Sequence, residues 1–181
     1  MNEGLIPSRY AKALFKVAQQ KQCAPEIYGI VKQLALSFAT QPALNQTIAN
    51  PFVAAEEKVS LIMTAAGTPD NALFADFLKM LIQNKRIDLI RDIALAYAEI
   101  YRKENNIFVV KVTSAKPLDD AELQRLHKIV ADHLPAGSTT EFSADTDPAL
   151  IGGFTVAINN ERLDASIKNE LKQLRLKLIN S

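Results

Sequence analysis

The sequence of 181 residues has no tryptophan, one cysteine (Cys23) and no run of apolar residues long enough to span a membrane. One cysteine excludes an internal disulfide and is typical of a reducing compartment. A membrane-spanning helix needs about 20 predominantly apolar residues, and the N-terminal stretch MNEGLIPSRYAKALF lacks the apolar core of a signal peptide. We therefore expect a protein that is soluble and mature as written.

An excess of charge of one sign is also lacking. The 21 basic and 20 acidic side chains give a net charge of +1, so no overall field recruits nucleic acid or an anionic membrane. The hydrophobic share of 48% and the charged share of 23% are those of an ordinary globular protein. Composition therefore favours a globular chain without a general electrostatic partner.

Motifs for catalysis are missing as well. The sequence has no GxxxxGK[ST] phosphate loop, no GxSxG elbow and no paired-cysteine metal spacing. His127 and His133 lie six residues apart on one predicted helix, so they face different directions and cannot share a metal. Asp145 and Asp147 could hold a hard cation, but the adjacent Pro148 favours a turn. We expect no enzyme activity, no metal and no cofactor.

The first 105 residues have the 3.6-residue periodicity of helices. Apolar stripes, prolines and capping residues predict six helices joined by short links, which is typical of an antiparallel bundle. The predicted helices cover 8–20, 25–40, 43–49, 54–65, a segment starting at Pro69-Asp70, and 88–104.

After Asn105-Asn106 the periodicity changes to two, which predicts a small α+β domain over 106–181. IFVVKVTS reads as a strand with Phe108, Val110 and Val112 on one face. Asp119 with Glu122 fits a capping box, and 139–144 reads as a weak strand. A hairpin of a strand at 151–158 and a shorter one around 162–164 turns at Asn159-Asn160. The last predicted helix has an apolar edge and a basic edge. The fold class is therefore mainly α, with a six-helix bundle before a small α+β domain.

Two helices of the predicted bundle carry more apolar surface than one core contact needs. Tyr10, Ala13 and Val17 widen the stripe of the first helix, and Met80 lies off the stripe of the fifth. Such residues suit either neighbours inside the bundle or an external partner, and for Met80 surface scatter is a further alternative. The residues alone leave these alternatives open.

Three segments carry a resemblance to a known family. SRYAKALFKVAQ, LIGGFTVAI and LDASIKNELKQLRLKL resemble the delta subunit of F-type ATP synthase, whose mitochondrial counterpart is the oligomycin-sensitivity-conferring protein. The resemblance covers the whole chain. It implies a non-catalytic stator subunit without cofactors, which joins the catalytic head to the peripheral stalk. It also implies a peripheral position at the cytoplasmic face of the bacterial membrane, with membrane contact only through the complex.

The resemblance further implies two binding surfaces. A groove between the first and fifth helices of the domain at 1–105 grips the N-terminal helix of an alpha subunit. Matched by motif, the groove residues are Tyr10, Ala13, Leu14, Val17, Met80 and Asn84. The domain at 106–181 engages the b subunits of the stalk, with Leu174, Arg175 and Leu178 of the terminal helix as representatives.

Two positions depart from the family pattern. Lys85 occupies a place that is often glycine at the end of the fifth helix, and Ala165 replaces a usual glycine before Ser166. A left-handed residue at Lys85 would cost about 1 kcal/mol. The sequence therefore does not fix the backbone conformation of the turns at Lys85 and Ala165.

Two other classes of function remain as alternatives. The β-α-β order of the second half also begins small RNA-binding modules, which would need Phe108, Phe142 and Phe154 on an open strand face. Little basic charge accompanies these aromatics, so we expect no nucleic-acid partner. A small hydrolase is the other alternative, and we expect no turnover from it.

Overall fold

The computed structural model describes residues 4–68, 70–150, 152–159 and 161–166. The chain divides into two compact units, Met1–Glu104 and Asn105–Ser181, which we call the helical unit and the mixed unit. The protein is mainly α-helical, with a small sheet confined to the mixed unit. The predicted terminal helix after Ser166 lies outside the described residues.

The described part of the helical unit contains six α-helices and one 3-10 turn. They are α1 Leu5–Gln20, α2 Ala24–Thr40, α3 Pro42–Ala49, α4 Ala55–Ala65, α5 Ala72–Gln83, the 3-10 turn Ile87–Leu89, and α6 Ile90–Glu104. The fifth helix begins later than predicted, because the side chain of Asn71 accepts a 2.9 Å hydrogen bond from the N–H of Phe74 and caps the first turn. The helix therefore begins at Ala72 and not at Asp70.

One hydrophobic core fills the helical unit, and α6 is central to it. Both α1 and α2 pack extensively on α6. Tyr97 of α6 is fully buried, meets the Phe15 ring edge-on at 5.7 Å, and donates a 3.2 Å hydrogen bond to the carbonyl of Ala24. Its ring thus fills the core while its hydroxyl finds a partner, as a buried tyrosine requires.

Three helices of this unit end in the same backbone motif. After α5, the N–H groups of Lys85 and Arg86 donate back into the last turn at 2.9 and 2.8 Å, which defines a Schellman motif. Lys85 takes the left-handed conformation, with a φ of 54°. Gln22 after α1 and Gly67 after α4 hold the equivalent place, with φ of 54° and 69°. Glycine therefore occupies only one of the three left-handed positions.

Glycine at the other two positions is expected to stabilise the protein. Gln22→Gly and Lys85→Gly should each raise the free energy of unfolding by about 1 kcal/mol, because a Cβ destabilises the left-handed conformation. Gly67→Ala should lower it by a similar amount. A Cβ there would meet Gln33 Cγ at an ordinary 3.8 Å, so only the backbone conformation penalises it. Urea unfolding followed by circular dichroism checks all three, and a Lys85→Gly variant no more stable than wild type contradicts the expectation.

The mixed unit contains a four-stranded sheet in the order β2-β1-β3-β4. Its elements are β1 Ile107–Ser114, α7 Asp120–His133, β2 Thr139–Thr146, the 3-10 turn Pro148–Leu150, β3 Gly153–Ile158 and β4 Glu161–Ser166. Strands β1 and β2 are parallel and are joined through α7, whereas β1/β3 and β3/β4 are antiparallel.

A small core lies between α7 and one face of this sheet. Val110, Val112 and Val156 contribute from the strands, and Leu126 and Val130 contribute from the helix. The predicted face of IFVVKVTS is therefore confirmed for Val110 and Val112, both completely buried. β2 extends to Thr146, two residues beyond the predicted strand.

Two local predictions for the mixed unit are confirmed. The side chain of Asp119 accepts from the N–H of Glu122 at 2.7 Å, and the Glu122 carboxylate accepts from the N–H of Asp119 at 3.0 Å, so the capping box forms. Asn159 adopts the left-handed conformation, with a φ of 50°, between β3 and β4. Its side-chain oxygen also accepts from the N–H of Val109 at 3.0 Å, which ties the turn to β1.

Candidate functional site

The predicted groove residues of α1 fall into two groups. Leu14 is only 3% exposed and belongs to the core. Tyr10 is half-buried at the edge of that core, whereas Ala13 is exposed and Val17 is 38% exposed. Tyr10, Ala13 and Val17 are three and four residues apart, so they lie on one side of the helix. This side is an apolar flank, with Leu14 behind it.

The α5 residues show a similar division. Phe74, Phe77, Leu78 and Leu81 are buried, whereas Met80 is half-buried against the edge of the core. Asn84 is exposed and forms the C-cap of the helix, its N–H donating to the carbonyl of Met80 at 3.1 Å. Leu73, Met80 and Asn84 lie seven and four residues apart on one side of α5. Met80 is thus partly available beside the core.

Neither flank is covered by extensive packing between the two helices. α1 packs on α6 and α2, while α5 packs on α4 and on the 3-10 turn at 87–89. Both helices still contribute to the same core. Tyr10, Ala13 and Val17 together with Leu73, Met80 and Asn84 are called the docking flanks below.

Two clefts in the helical unit were not predicted from the sequence. One, of about 490 Å³, lies between α4 and α5 and is lined by Val59, Met63, Ala75 and Ile82. Another, of about 830 Å³, lies between the start of α1 and α6, where Leu95 is 48% exposed. Val59 is half-buried at the cleft wall and packs against the edge of the core. The sequence signal for the second cleft was the position of Leu95, an apolar residue outside the helical stripe of Ile93, Tyr97 and Ile100.

The two aspartates considered for a cation have ordinary partners. Asp145 Oδ2 lies 3.5 Å from Lys111 Nζ, and Asp145 Oδ1 accepts from the N–H of Thr146. Asp147 Oδ1 accepts from the N–H of Ala149 at 2.9 Å and so begins the 3-10 turn. Within the described residues, no group of three or more His, Cys, Asp or Glu side chains could hold a metal ion.

The aromatic residues of the strands do not form an open platform for bases. Phe142 and Phe154 pack against the core of the mixed unit, and the register places Phe142 beside Val110 on the face that α7 covers. The exposed His127 of α7 stacks on Phe142, with 3.8 Å between ring centroids. Phe108 shares that face, because it lies two residues before Val110. This geometry argues against the RNA-binding alternative, which needs solvent-facing aromatics.

Some predicted features are not described. Leu174, Arg175 and Leu178 lie outside the described residues, so their role at the stalk stays a prediction. Cys23 is a half-buried residue with a free thiol at the N-cap of α2. None of the described helices has the length and the apolar character that crossing a membrane requires.

The fold and the flanks define a mainly α-helical protein with a small mixed sheet and partly exposed apolar helix sides. Residues 6–178 match the family model described as ATP synthase delta (OSCP) subunit. The chain belongs to this family.

Curated relatives are similar over nearly their full length. The ATP synthase subunit delta of Parabacteroides distasonis is 38% identical over 179 residues, covering 99% of this chain and 98% of the relative. That of Bacteroides thetaiotaomicron is 35% identical over 181 residues, covering 99% and 96%. The resemblance read from the sequence is thereby confirmed.

A solved structure supports the fold. A chain of the Toxoplasma gondii mitochondrial ATP synthase hexamer aligns with a TM-score of 0.71 at 22% identity, covering 96% of this chain and 97% of that one. This likeness concerns the fold alone.

Proposed function

We propose that this chain is a non-catalytic stator subunit of a rotary ATP synthase. It joins the alpha subunits of the catalytic head to the b subunits of the peripheral stalk, at the cytoplasmic face of a bacterial membrane. Rotation inside the head exerts torque on the stationary ring, so the joint must resist separation. Family membership supports the assignment to the complex. The helical unit would bind the head and the mixed unit would bind the stalk.

The docking flanks are the proposed site for the head. The helices of this unit would form an antiparallel bundle with a groove between α1 and α5, and the N-terminal helix of an alpha subunit would lie in it. Helix-in-groove docking buries apolar anchors, each contributing about 1 to 3 kcal/mol. Tyr10, Val17 and Met80 are the anchors, while Ala13 lets the partner backbone approach and Asn84 contributes a polar contact at one end.

Leu14 has a different part in this arrangement. Because it is buried in the core, it would support the groove from behind rather than offer much surface to a partner. Its substitution would act mainly through stability, since truncating a buried leucine to alanine typically costs about 2 to 5 kcal/mol. Val17 and Met80 are therefore the better positions for testing contact with the partner.

For the stalk, we propose contacts through the end of the chain. The segment after Ser166 carries the apolar spacing of Leu171, Leu174 and Leu178, with basic residues including Arg175 on the other edge. Such an edge suits docking along a helix of a b subunit. Leu174, Arg175 and Leu178 are the proposed contacts.

The observation that carries the proposal is the apolar side of α1, on which the half-buried Tyr10 and the exposed Ala13 are followed by Val17, 38% exposed. A labelled peptide of the alpha-subunit N-terminal helix from the same organism should bind the full-length chain saturably, as measured by fluorescence anisotropy. A scrambled peptide of the same composition is the control, because it keeps net charge and hydrophobicity but loses the helical stripe. No saturable binding up to about 100 μM, a free energy of only about −5.5 kcal/mol, would overturn the proposal for the head.

A further inference from the structure

The near-neutral net charge of the chain conceals an uneven distribution. The segments that carry the docking flanks, 5–21 and 72–86, contain seven basic side chains and one acidic side chain. The rest of the helical unit, 22–71 and 87–104, contains five basic and eight acidic side chains. The seven bases are Arg9, Lys12, Lys16, Lys21, Lys79, Lys85 and Arg86, and the acid is Asp76.

These basic side chains are available to a partner. All seven residues are exposed. Lys79 Nζ lies 3.6 Å from Asp76 Oδ1, an exposed pair on one helix face, so the single acid of the two segments already faces a base. Within the described part of the chain, none of the four basic residues of 5–21 forms an ion pair. Lys12 shares the cleft between α1 and α6 with Asp92, Glu99 and Glu104, whereas Arg9 and Lys16 do not line that cleft.

The local geometry of α1 places base and apolar surface side by side. On a helix the neighbours of residue i are i±3 and i±4, so Ala13 is surrounded by Arg9, Tyr10, Lys16 and Val17. The small side chain of Ala13 lets a second helix come close at this point. A partner helix that contacts Tyr10 and Val17 through its apolar stripe then places the residues along one border of that stripe within reach of Arg9 and Lys16.

We infer that the helix docking on these flanks carries a row of carboxylates along one border of its apolar stripe. The carboxylates run past Arg9 and Lys16, and the basic field of the two segments steers the encounter. This inference rests on the proposed function and deepens it by giving the chemistry of the partner. A partner helix is favoured over nucleic acid or an anionic membrane, because the bases border exposed apolar side chains at helical spacing.

The consequence is a salt-dependent association rate. Complementary charges raise the association rate well above that of neutral partners, and salt screens them. Association of the full-length chain with the alpha-subunit N-terminal peptide is followed by stopped-flow fluorescence at about 50 mM and about 500 mM NaCl. For the wild type we expect the rate to fall by roughly tenfold between these conditions.

Arg9→Glu with Lys16→Glu should lower the association rate about tenfold at the lower salt and by a much smaller factor at the higher salt. The matched control is Arg91→Glu with Lys103→Glu on α6, which changes the net charge equally at exposed positions outside the docking flanks. That control should stay within about twofold of wild type. Arg9→Gln with Lys16→Gln should give an intermediate effect, and circular dichroism confirms that each variant is folded.

Three results would overturn the inference. An unchanged association rate for Arg9→Glu with Lys16→Glu would show that the partner has no carboxylates facing these two residues. An equal loss of rate in the α6 control would show that only the net charge of the chain matters. Tight binding of single-stranded oligonucleotide or phosphatidylglycerol vesicles that is lost in R9E/K16E, with unchanged peptide binding, would assign the bases to a polyanion instead. If the wild type does not bind the peptide at all, the proposed function fails; binding without charge dependence overturns only this inference.

Discussion

Val17→Asp is expected to weaken binding of the alpha-subunit N-terminal peptide by at least tenfold, while the helical circular dichroism spectrum stays unchanged. Val17 is 38% exposed in the free chain, so the core does not depend on it fully, yet the proposed partner would bury the remainder. Burying a carboxylate at this position removes the apolar contribution to binding and adds a desolvation cost. A tenfold loss of affinity needs only about 1.4 kcal/mol, so the two effects together are sufficient. Met80→Asp should have the same effect from the other flank.

The design of this experiment separates contact from charge and from folding. Val17→Asn keeps the net charge and should still weaken binding, because it removes the apolar contact. Leu36→Asp is the matched control, since Leu36 is 56% exposed on α2 and the change is also apolar to acidic. Capture of b subunits should persist in Val17→Asp. Unchanged peptide affinity in both Val17→Asp and Met80→Asp would show that the peptide does not bind between α1 and α5.

Tyr97 is expected to make the protein markedly less stable above pH 10. Burial, with smaller contributions from the neighbouring Cys23 and Tyr101, raises the pKa of the Tyr97 hydroxyl far above its ordinary value of about 10. The unfolded chain therefore loses this proton near pH 10, whereas the folded chain keeps it. The contribution of the Tyr97 hydroxyl to the free energy of unfolding is fully present below pH 10. It is lost as the pH rises from 10 toward the folded-state pKa, by about 1.4 kcal/mol per pH unit.

Urea unfolding at several pH values between 9 and 12, compared with Tyr97→Phe, isolates this group. Tyr97→Phe should be less stable at neutral pH by about 1 kcal/mol, because the hydrogen bond to the Ala24 carbonyl is lost. Its stability should then fall less steeply with pH than that of wild type, since other titrating groups are common to both proteins. Parallel pH curves for the two proteins would show that Tyr97 does not set the alkaline limit.

Several features of the fold could be predicted because their causes are local. Asp119 and Glu122 satisfy each other's backbone N–H groups within one turn, so their spacing alone identifies the start of α7. The alternation in IFVVKVTS likewise predicts a strand with Val110 and Val112 on one face. For the candidate site, the excess apolar residues of α1 and the off-stripe Met80 were visible for the same reason.

The sequence by itself determined the mainly helical first part, the change to strands after Asn106, and the family, because periodicity, capping and motifs are written in neighbouring residues. Only the tertiary structure decided that Leu14 is buried while Val17 is exposed, and that Gln22 and Lys85 adopt left-handed conformations. Exposure depends on which helices pack on α1, and those neighbours come from distant positions such as α6. The left-handed turns are likewise imposed by the paths of the next helices, which outweigh a local cost of about 1 kcal/mol.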